Sequence, residues 1–418
     1  MIKSEEELGV RILHTADWHL GKNLEGQSRM DEQELFLKDF INIVEENNID
    51  LIIIAGDVYD SPNPPARAEK MFYDTLKQLS RDGERITIVI SGNHDSPERL
   101  VAAGPLARDH GIIMVGTPKT VIPCGEYGRN KVIESGEGFI EIEIKGERSV
   151  ILTVPYPSEK RLNEVIYNSM DDDDEKAKSY SDRIFELFNN LKVHYRKDTI
   201  NLAVSHLFAM GSEEGGSERS IQLGGSYIVD GSCFPPEAQY IALGHVHKPQ
   251  IVPGTHKRAR YAGSPIHYNK KEINYDKKCF IIDAKPNREC EISEVKLKVY
   301  KPIEVWKCSS IEDAIRKCDE NKEVDCWVYL EIDTDRYIRE DEIKIMKDLK
   351  KDILEILPKI KGEDDTEFDS ENIKEKPFEE IFREFYKKER DVEPEKEVVD
   401  LLLSIISEEG DENETNQA

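Results

Sequence analysis

The chain has 418 residues, with 58 Lys and Arg against 85 Asp and Glu, and a formal net charge of −27. That length exceeds one ordinary core and fits two or three domains, and the charge excludes a protein that coats nucleic acid through a uniformly basic surface. The acidic excess is uneven, with −13 in residues 361–418 and −14 in the preceding 360, so a locally basic cleft on the first domain remains open.

Residues 1–9 are acidic and lack the apolar core of a signal peptide. No stretch approaches the ~18 apolar residues of a membrane span, so a soluble, cytoplasmic protein without a membrane partner is expected. The pattern then alternates strand and helix: Arg11 to Ala16, Asp31 to Glu46, Leu51 to Ala55, Ala66 to Leu79, Ile86 to Ile90 and Pro97 to Asp109. This βαβαβα order, with nearly uninterrupted apolar strands, predicts an α/β fold whose sheet begins parallel and buried on both faces. From Thr120 to Pro155, alternating strands such as Phe139 to Ile144 and Val150 to Val154 predict antiparallel additions. Asp171 to Glu175 reads as a solvated acidic loop before a helix from Ala177 to Val193, and strands resume at Leu202 to Ser205, Tyr240 to Leu243, Arg260 to Ala262 and Cys279 to Asp283. The first domain is expected to end at residue 286.

Residues 287–360 read as a small α+β domain, with strands at Ile303 to Cys308 and Cys326 to Ile332 and helices at Ile311 to Asp319 and Glu340 to Asp352. A charged linker, 361–376, follows. The segment 377–407 opens with Phe378, Ile381, Phe382, Phe385 and Tyr386 at helical spacing, one aromatic stripe that suits a tethered partner-binding helix. Residues 408–418 read as a disordered acidic tail. The seven cysteines are scattered with no CxxC spacing, as expected of reduced thiols.

The chemistry lies in five short blocks, each placing polar residues directly after an apolar strand: Asp17 and His19, Asp57, Asn93 and His94, His206, and His245 and His247. In an open α/β sheet such positions converge in the crevice beyond the carboxyl ends of the strands. Asp57 is placed to bridge two ions, and the glycines preceding it, Asn93 and His245 allow close backbone approach. A ligand set of Asp, Asn and His without thiolate suits manganese, iron or zinc. Two such ions would acidify a bridging water and clamp a phosphoryl group for in-line hydrolysis. By alternation His94 points away from the ion of Asn93 toward substrate, where an imidazole protonates a leaving alkoxide.

Together these blocks resemble the signature of the calcineurin-like metallophosphoesterases. The wording HTADWHLGK at 14–22, AGDVYD at 55–60, SGNHDSPERL at 91–100, ALGHVHKPQ at 242–250 and YAGSPIHY at 261–268 is similar to their bacterial DNA-repair nucleases. The resemblance implies a four-layer αββα sandwich, a capping domain that helps place DNA, and a C-terminal helical segment that binds a coiled-coil ATPase. It implies two manganese ions, one held by Asp17, His19, Asp57 and His247 and the other by Asp57, Asn93, His206 and His245, with His94 acting on substrate. The implied activity is 3′ to 5′ exonuclease on duplex DNA and endonuclease on single strands and hairpins, from a homodimer within a heterotetramer. Asp60 stands where other branches of the superfamily often carry a histidine, so that histidine's role does not transfer.

Two other readings stay open on the ligand set alone: a phosphoesterase acting on a non-DNA ester, and a non-catalytic scaffold stabilised by its metals. Lys257, Arg258, Arg260, Lys270 and Lys271 form a basic concentration that either contacts DNA phosphates or stands as a solvated hairpin. The loop from Ala209 to Ser220 reads as an ordinary long loop.

Overall fold

The computed structural model describes residues 9–158, 180–216 and 228–360, together with Tyr386, Pro394, Val398 and Val399. The acidic run 171–174, the linker 361–376, the tail 408–418 and nearly all of the segment 377–407 lie outside these residues. The chain divides into two compact units, 1–221 with 225–359, and 222–224 with 360–418, and the layered fold belongs to the first.

Two sheets form the body. The first contains β1 (Val10–Thr15), β2 (Leu51–Ala55), β3 (Ile86–Ile90) and β4 (Ile112–Val115), parallel to one another. The second is built on β5 (Gly125–Tyr127), β6 (Asn130–Gly136), β7 (Phe139–Ile144), β8 (Glu147–Val154), β9 (Ile200–His206), β10 (Tyr240–Gly244), β11 (Gln250–Ile251) and β12 (Ala259–Tyr261). The expected antiparallel additions are β5 to β8, after which β8, β9, β10 and β12 run parallel. Strand β13 (Lys278–Ala284) returns antiparallel to β1, giving the order β13-β1-β2-β3-β4.

Alternation along each strand fixes the layers. Leu51, Ile53 and Ala55 of β2 pack with Leu202 and Val204 of the facing sheet in one core between the sheets. Ile52 and Ile54 face the other way, onto α1 (Met30–Glu46) and α2 (Ala66–Ser80), whose Phe36, Phe40, Phe72 and Leu76 cover that surface. On the far side Ala203, Ile241 and Leu243 are covered by Ile184, Leu187 and Phe188 of α3 (Tyr180–Leu191). The order is therefore helix, sheet, sheet, helix. Strands buried on both faces need the uninterrupted apolar runs that the sequence shows.

Three expectations are corrected. The helix from Pro97 to Asp109 is broken into Pro97–Val101, Gly104–Ala107 and a 3-10 turn Arg108–His110, because Pro105 lacks the N–H that would continue the helix by bonding the Val101 carbonyl. The boundary at 286 falls inside a hairpin: β14 (Glu291–Lys296) pairs antiparallel with β13 and forms the edge of the six-stranded sheet. The last helix of the small unit stops at Leu349, and Ile353–Ile360 follows as a third strand. Its Ile353, Leu354, Ile356 and Leu357 stand at offsets 0, 1, 3 and 4, a helical spacing without the alternation of a strand, and sheet pairing overrides it.

In the small unit, β15 (Ile303–Cys308), α4 (Ile311–Glu320), β16 (Trp327–Thr334), α5 (Glu340–Leu349) and β17 (Ile353–Ile360) form a sheet ordered β15-β16-β17, with β15 parallel to β16. Ser310 caps α4 through the Asp313 N–H at 3.2 Å. The unit has its own core, with Ala314, Cys318, Val328, Leu330 and Met346 fully buried. It meets the body through Ile303, Trp327 and Tyr329, which pack with Leu24. The Trp327 indole donates to Glu32 Oε1 at 2.7 Å, and Glu32 also receives both Nε and Nη2 of Arg29 at 2.6 and 2.7 Å.

Candidate metal centre

The carboxyl ends of β1, β2, β3, β9 and β10 open into one crevice, and the residues singled out from the sequence line it, every His and Asp among them buried. The two loops after β1 and β2 are laced together by Asp17 N–H to Gly56 O at 3.1 Å and His19 N–H to Asp57 O at 3.0 Å. Turning so sharply at the strand ends puts Asp17, His19, Asp57 and His245 at φ of 52°, 45°, 48° and 98°. Left-handed backbone costs a residue with a Cβ roughly 1–3 kcal/mol and persists only where its surroundings impose it. The glycines serve a narrower purpose than expected. A Cβ at Gly92 would overlap Asp57 Oδ1 and one at Gly244 the Ala55 carbonyl, so they make room for ligand side chains and their loops.

The side chains converge in two groups. In one, His19 Nε2 and His247 Nε2 stand 3.0 Å apart, and with Asp17 they offer three donor atoms within 4.8 Å of one another. In the other, Asn93 Oδ1 is 2.9 Å from both His206 Nε2 and His245 Nδ1. Asp57 lies between, its Oδ2 3.5 Å from His19 Nε2 and 3.3 Å from His206 Nε2. Its Oδ1 accepts the backbone N–H of His94 at 2.9 Å.

The donor set fits a cation on two counts. Asp17 Oδ1 accepts the His245 N–H at 2.8 Å, but Oδ2 is buried with no hydrogen-bond partner among the described residues. His206 Nδ1 contacts the Ala55 carbonyl at 2.9 Å. A carbonyl only accepts, so Nδ1 carries the proton and Nε2 turns a lone pair toward Asn93 Oδ1 and Asp57 Oδ2. Acceptor then faces acceptor, and only a proton or a cation between them relieves it. Without an ion the ring favours the proton: burial opposes charging His206, but Asp57 and Asp17 outweigh it and raise its pKa to about 9. Burial holds His19 and His245 down at about 3, neutral and suited to binding a metal. Burial, aided by the charge of Asp57, raises Asp17 to about 7, a cost that a divalent cation would remove.

His94 lies at the same crevice, its ring centroid 4.7 Å from that of His19. Its Nδ1 donates to the Asp60 carbonyl at 2.8 Å, leaving Nε2 as the atom directed elsewhere. His94 also groups with His19 and Asp57 at ligand spacing, so position alone does not separate it from the ligands.

Several residues here escape sequence reading. Asp95, buried, receives the N–H groups of Gly92 and Tyr59 at 2.9 Å and Val58 at 3.2 Å, binding the Asp57 loop to the Asn93 loop. Gln33 of α1 holds the turn after β1 from behind, donating to His19 O at 2.8 Å and accepting from Gly21 N at 3.0 Å. Both are side chains meeting backbone groups distant in sequence, which no local pattern announces. Three residues of the basic concentration have structural contacts, while Lys257 and Lys271 stand exposed. Arg258 is half-buried and donates to the Pro235 and Ala238 carbonyls, Arg260 covers the Phe280 ring, and Lys270 lies over Tyr329. Among the described residues no helix is long and apolar enough to cross a membrane.

Compared with known proteins, the chain matches the family model of the calcineurin-like phosphoesterases over residues 10–249, and that of a type 5 capsule protein repressor C-terminal domain over residues 299–390. It is 37% identical to the SbcD subunit of nuclease SbcCD from Bacillus subtilis, over 95% of this chain and 98% of that protein. It is 33% identical to the SbcD subunit of Rhodobacter capsulatus over 66% of each. With the Escherichia coli K12 protein of the same name, identity is 28% over 80% of this chain and 81% of the other.

Proposed function

The chain belongs to the calcineurin-like phosphoesterases and, within them, to the SbcD subunits of SbcCD nucleases, and from that membership we propose that it hydrolyses DNA phosphodiester bonds with two manganese ions. Its partner in this reading is an SbcC-type coiled-coil ATPase, docked on the C-terminal segment, with two copies of each chain in a cytoplasmic heterotetramer. Kinship over nearly the whole length, and not only over the crevice, supports DNA as the substrate.

In this reading Asp17, His19, Asp57 and His247 hold one ion, and Asp57, Asn93, His206 and His245 the other. The ions would supply Lewis-acid chemistry, lowering the pKa of a water and neutralising phosphoryl oxygens. The protein's own part is to hold these donors at fixed angles from two sheets. His94, with Nδ1 committed to the Asp60 carbonyl, keeps a fixed ring from which Nε2 delivers a proton to the leaving alkoxide. The observation that supports the reading is Asp57 lying within 3.5 Å of both ligand groups while Asp17 Oδ2 is buried without a hydrogen-bond partner among the described residues.

The test is digestion of end-labelled linear duplex DNA with Mn²⁺, beside bis(p-nitrophenyl) phosphate, with and without the partner ATPase and ATP. Degradation of the duplex that stops on chelation is expected. Hydrolysis of the small ester with the DNA left intact would contradict DNA as substrate.

A further inference from the structure

The two groups of candidate ligands are backed differently. Behind His206 stands a neutral backbone carbonyl, that of Ala55. Behind the pair His19 and His247 stand carboxylates. His19 Nδ1, which makes no hydrogen bond among the described residues, lies 3.4 Å from Asp60 Oδ1, an oxygen also 3.9 Å from His94 Nδ1, and His247 Nδ1 lies 3.5 Å from Glu272 Oε1. Each carboxylate is in turn held by a lysine: Lys22 Nζ is 2.8 Å from Asp60 Oδ1, and Lys277 Nζ is 2.6 Å from Glu272 Oε2. Lys277 is buried with Glu272 and also donates to Ser264 Oγ at 2.7 Å and to the His247 carbonyl at 3.1 Å. The Tyr268 N–H completes the hold on Glu272 at 3.1 Å.

We infer that Asp60 and Glu272 are positioning residues for one ion of the pair: each draws the ring proton of its histidine to Nδ1 and so aims Nε2 of His19 and of His247 at the same point. With both protons at Nδ1, the two Nε2 atoms present lone pairs to each other across 3.0 Å, a repulsion that a shared cation converts into coordination. Carboxylates in this position fix the tautomer and raise the basicity of a metal-binding imidazole. Two positions far apart in sequence thereby act on one ion and leave the other to Ala55 and Asn93. Asp60 thus has a use of its own where related branches carry a histidine.

The inference rests on the metal-centre reading, and the experiment separates the two. Mn²⁺ binding to the full chain is followed by titration calorimetry for wild type, Asp60→Asn and Glu272→Gln, with folding checked by thermal melting. The Asp60 side chain is 31% exposed, so Asp60→Asn keeps the fold even where Glu272→Gln, beside buried Lys277, does not. Two sites in wild type are expected, with one weakened about 10-fold or more by each variant and the second unchanged. The ¹⁵N spectrum of histidine-labelled, metal-free wild type should show His19 and His247 protonated at Nδ1, a signature that mere packing would not impose. Wild type without Mn²⁺ binding would overturn the metal reading and this inference together. Two wild-type sites that Asp60→Asn leaves unchanged, or Nε2-protonated rings, would overturn this inference alone.

Discussion

In the crevice, Asp17, His19, Asp57 and His245 all take left-handed backbone, whereas among the described residues from 303 to 360 no non-glycine residue does. Buried side-chain atoms without a partner divide the same way: Asp17 Oδ2 lies at the crevice, and none belongs to the small unit. The carboxylates follow suit. Glu342 of α5 meets Arg336 at 2.7 Å, its partner half exposed, while Asp57 is buried among histidines. The small unit satisfies its buried polar groups and keeps a relaxed backbone. The crevice keeps strain and crowded acceptors, which the surrounding four layers hold in place.

Two substitutions test how far this contrast extends. The larger effect is expected in the crevice. His94→Leu should keep the fold and both ions yet lose about 10²- to 10⁴-fold in turnover, the range of a general acid; duplex cleavage and metal content measured on one preparation check it. Wild-type rates would remove His94 from the chemistry, and lost metal would move it among the ligands. In the small unit, Leu330→Ala removes a fully buried side chain and should cost about 2–5 kcal/mol in denaturant unfolding. Mn²⁺ stoichiometry should not change. A loss of metal with it would show that the two regions are not as separate as their backbones suggest.

Much of this contrast was legible in the sequence. A strand buried on both faces needs an unbroken apolar run, so β1, β2, β3, β9 and β10 declare themselves, and the polar residue after each run marks the crevice. The layered fold came from the resemblance carried by those same blocks, and alternation of Leu51, Ile52, Ile53 and Ile54 between two cores gives it a physical basis. What was not legible depends on pairings distant in sequence. Glu272 reaches His247, and Gln33 reaches the His19 carbonyl, only once the sheets are assembled. Arg258 looked available for phosphates but closes a loop by capping carbonyls. The β13–β14 hairpin carried the first sheet past the expected boundary because edge strands, exposed on one side, have a weak apolar signal.

The central claim is that Asp57 joins two ions held from two sheets. Anomalous diffraction at the manganese edge from crystals grown with Mn²⁺ tests it most directly. The account predicts two peaks, one touching Asp17, His19 and His247, the other touching Asn93, His206 and His245, with Asp57 in contact with both. A single peak, or two peaks of which Asp57 touches only one, would contradict it.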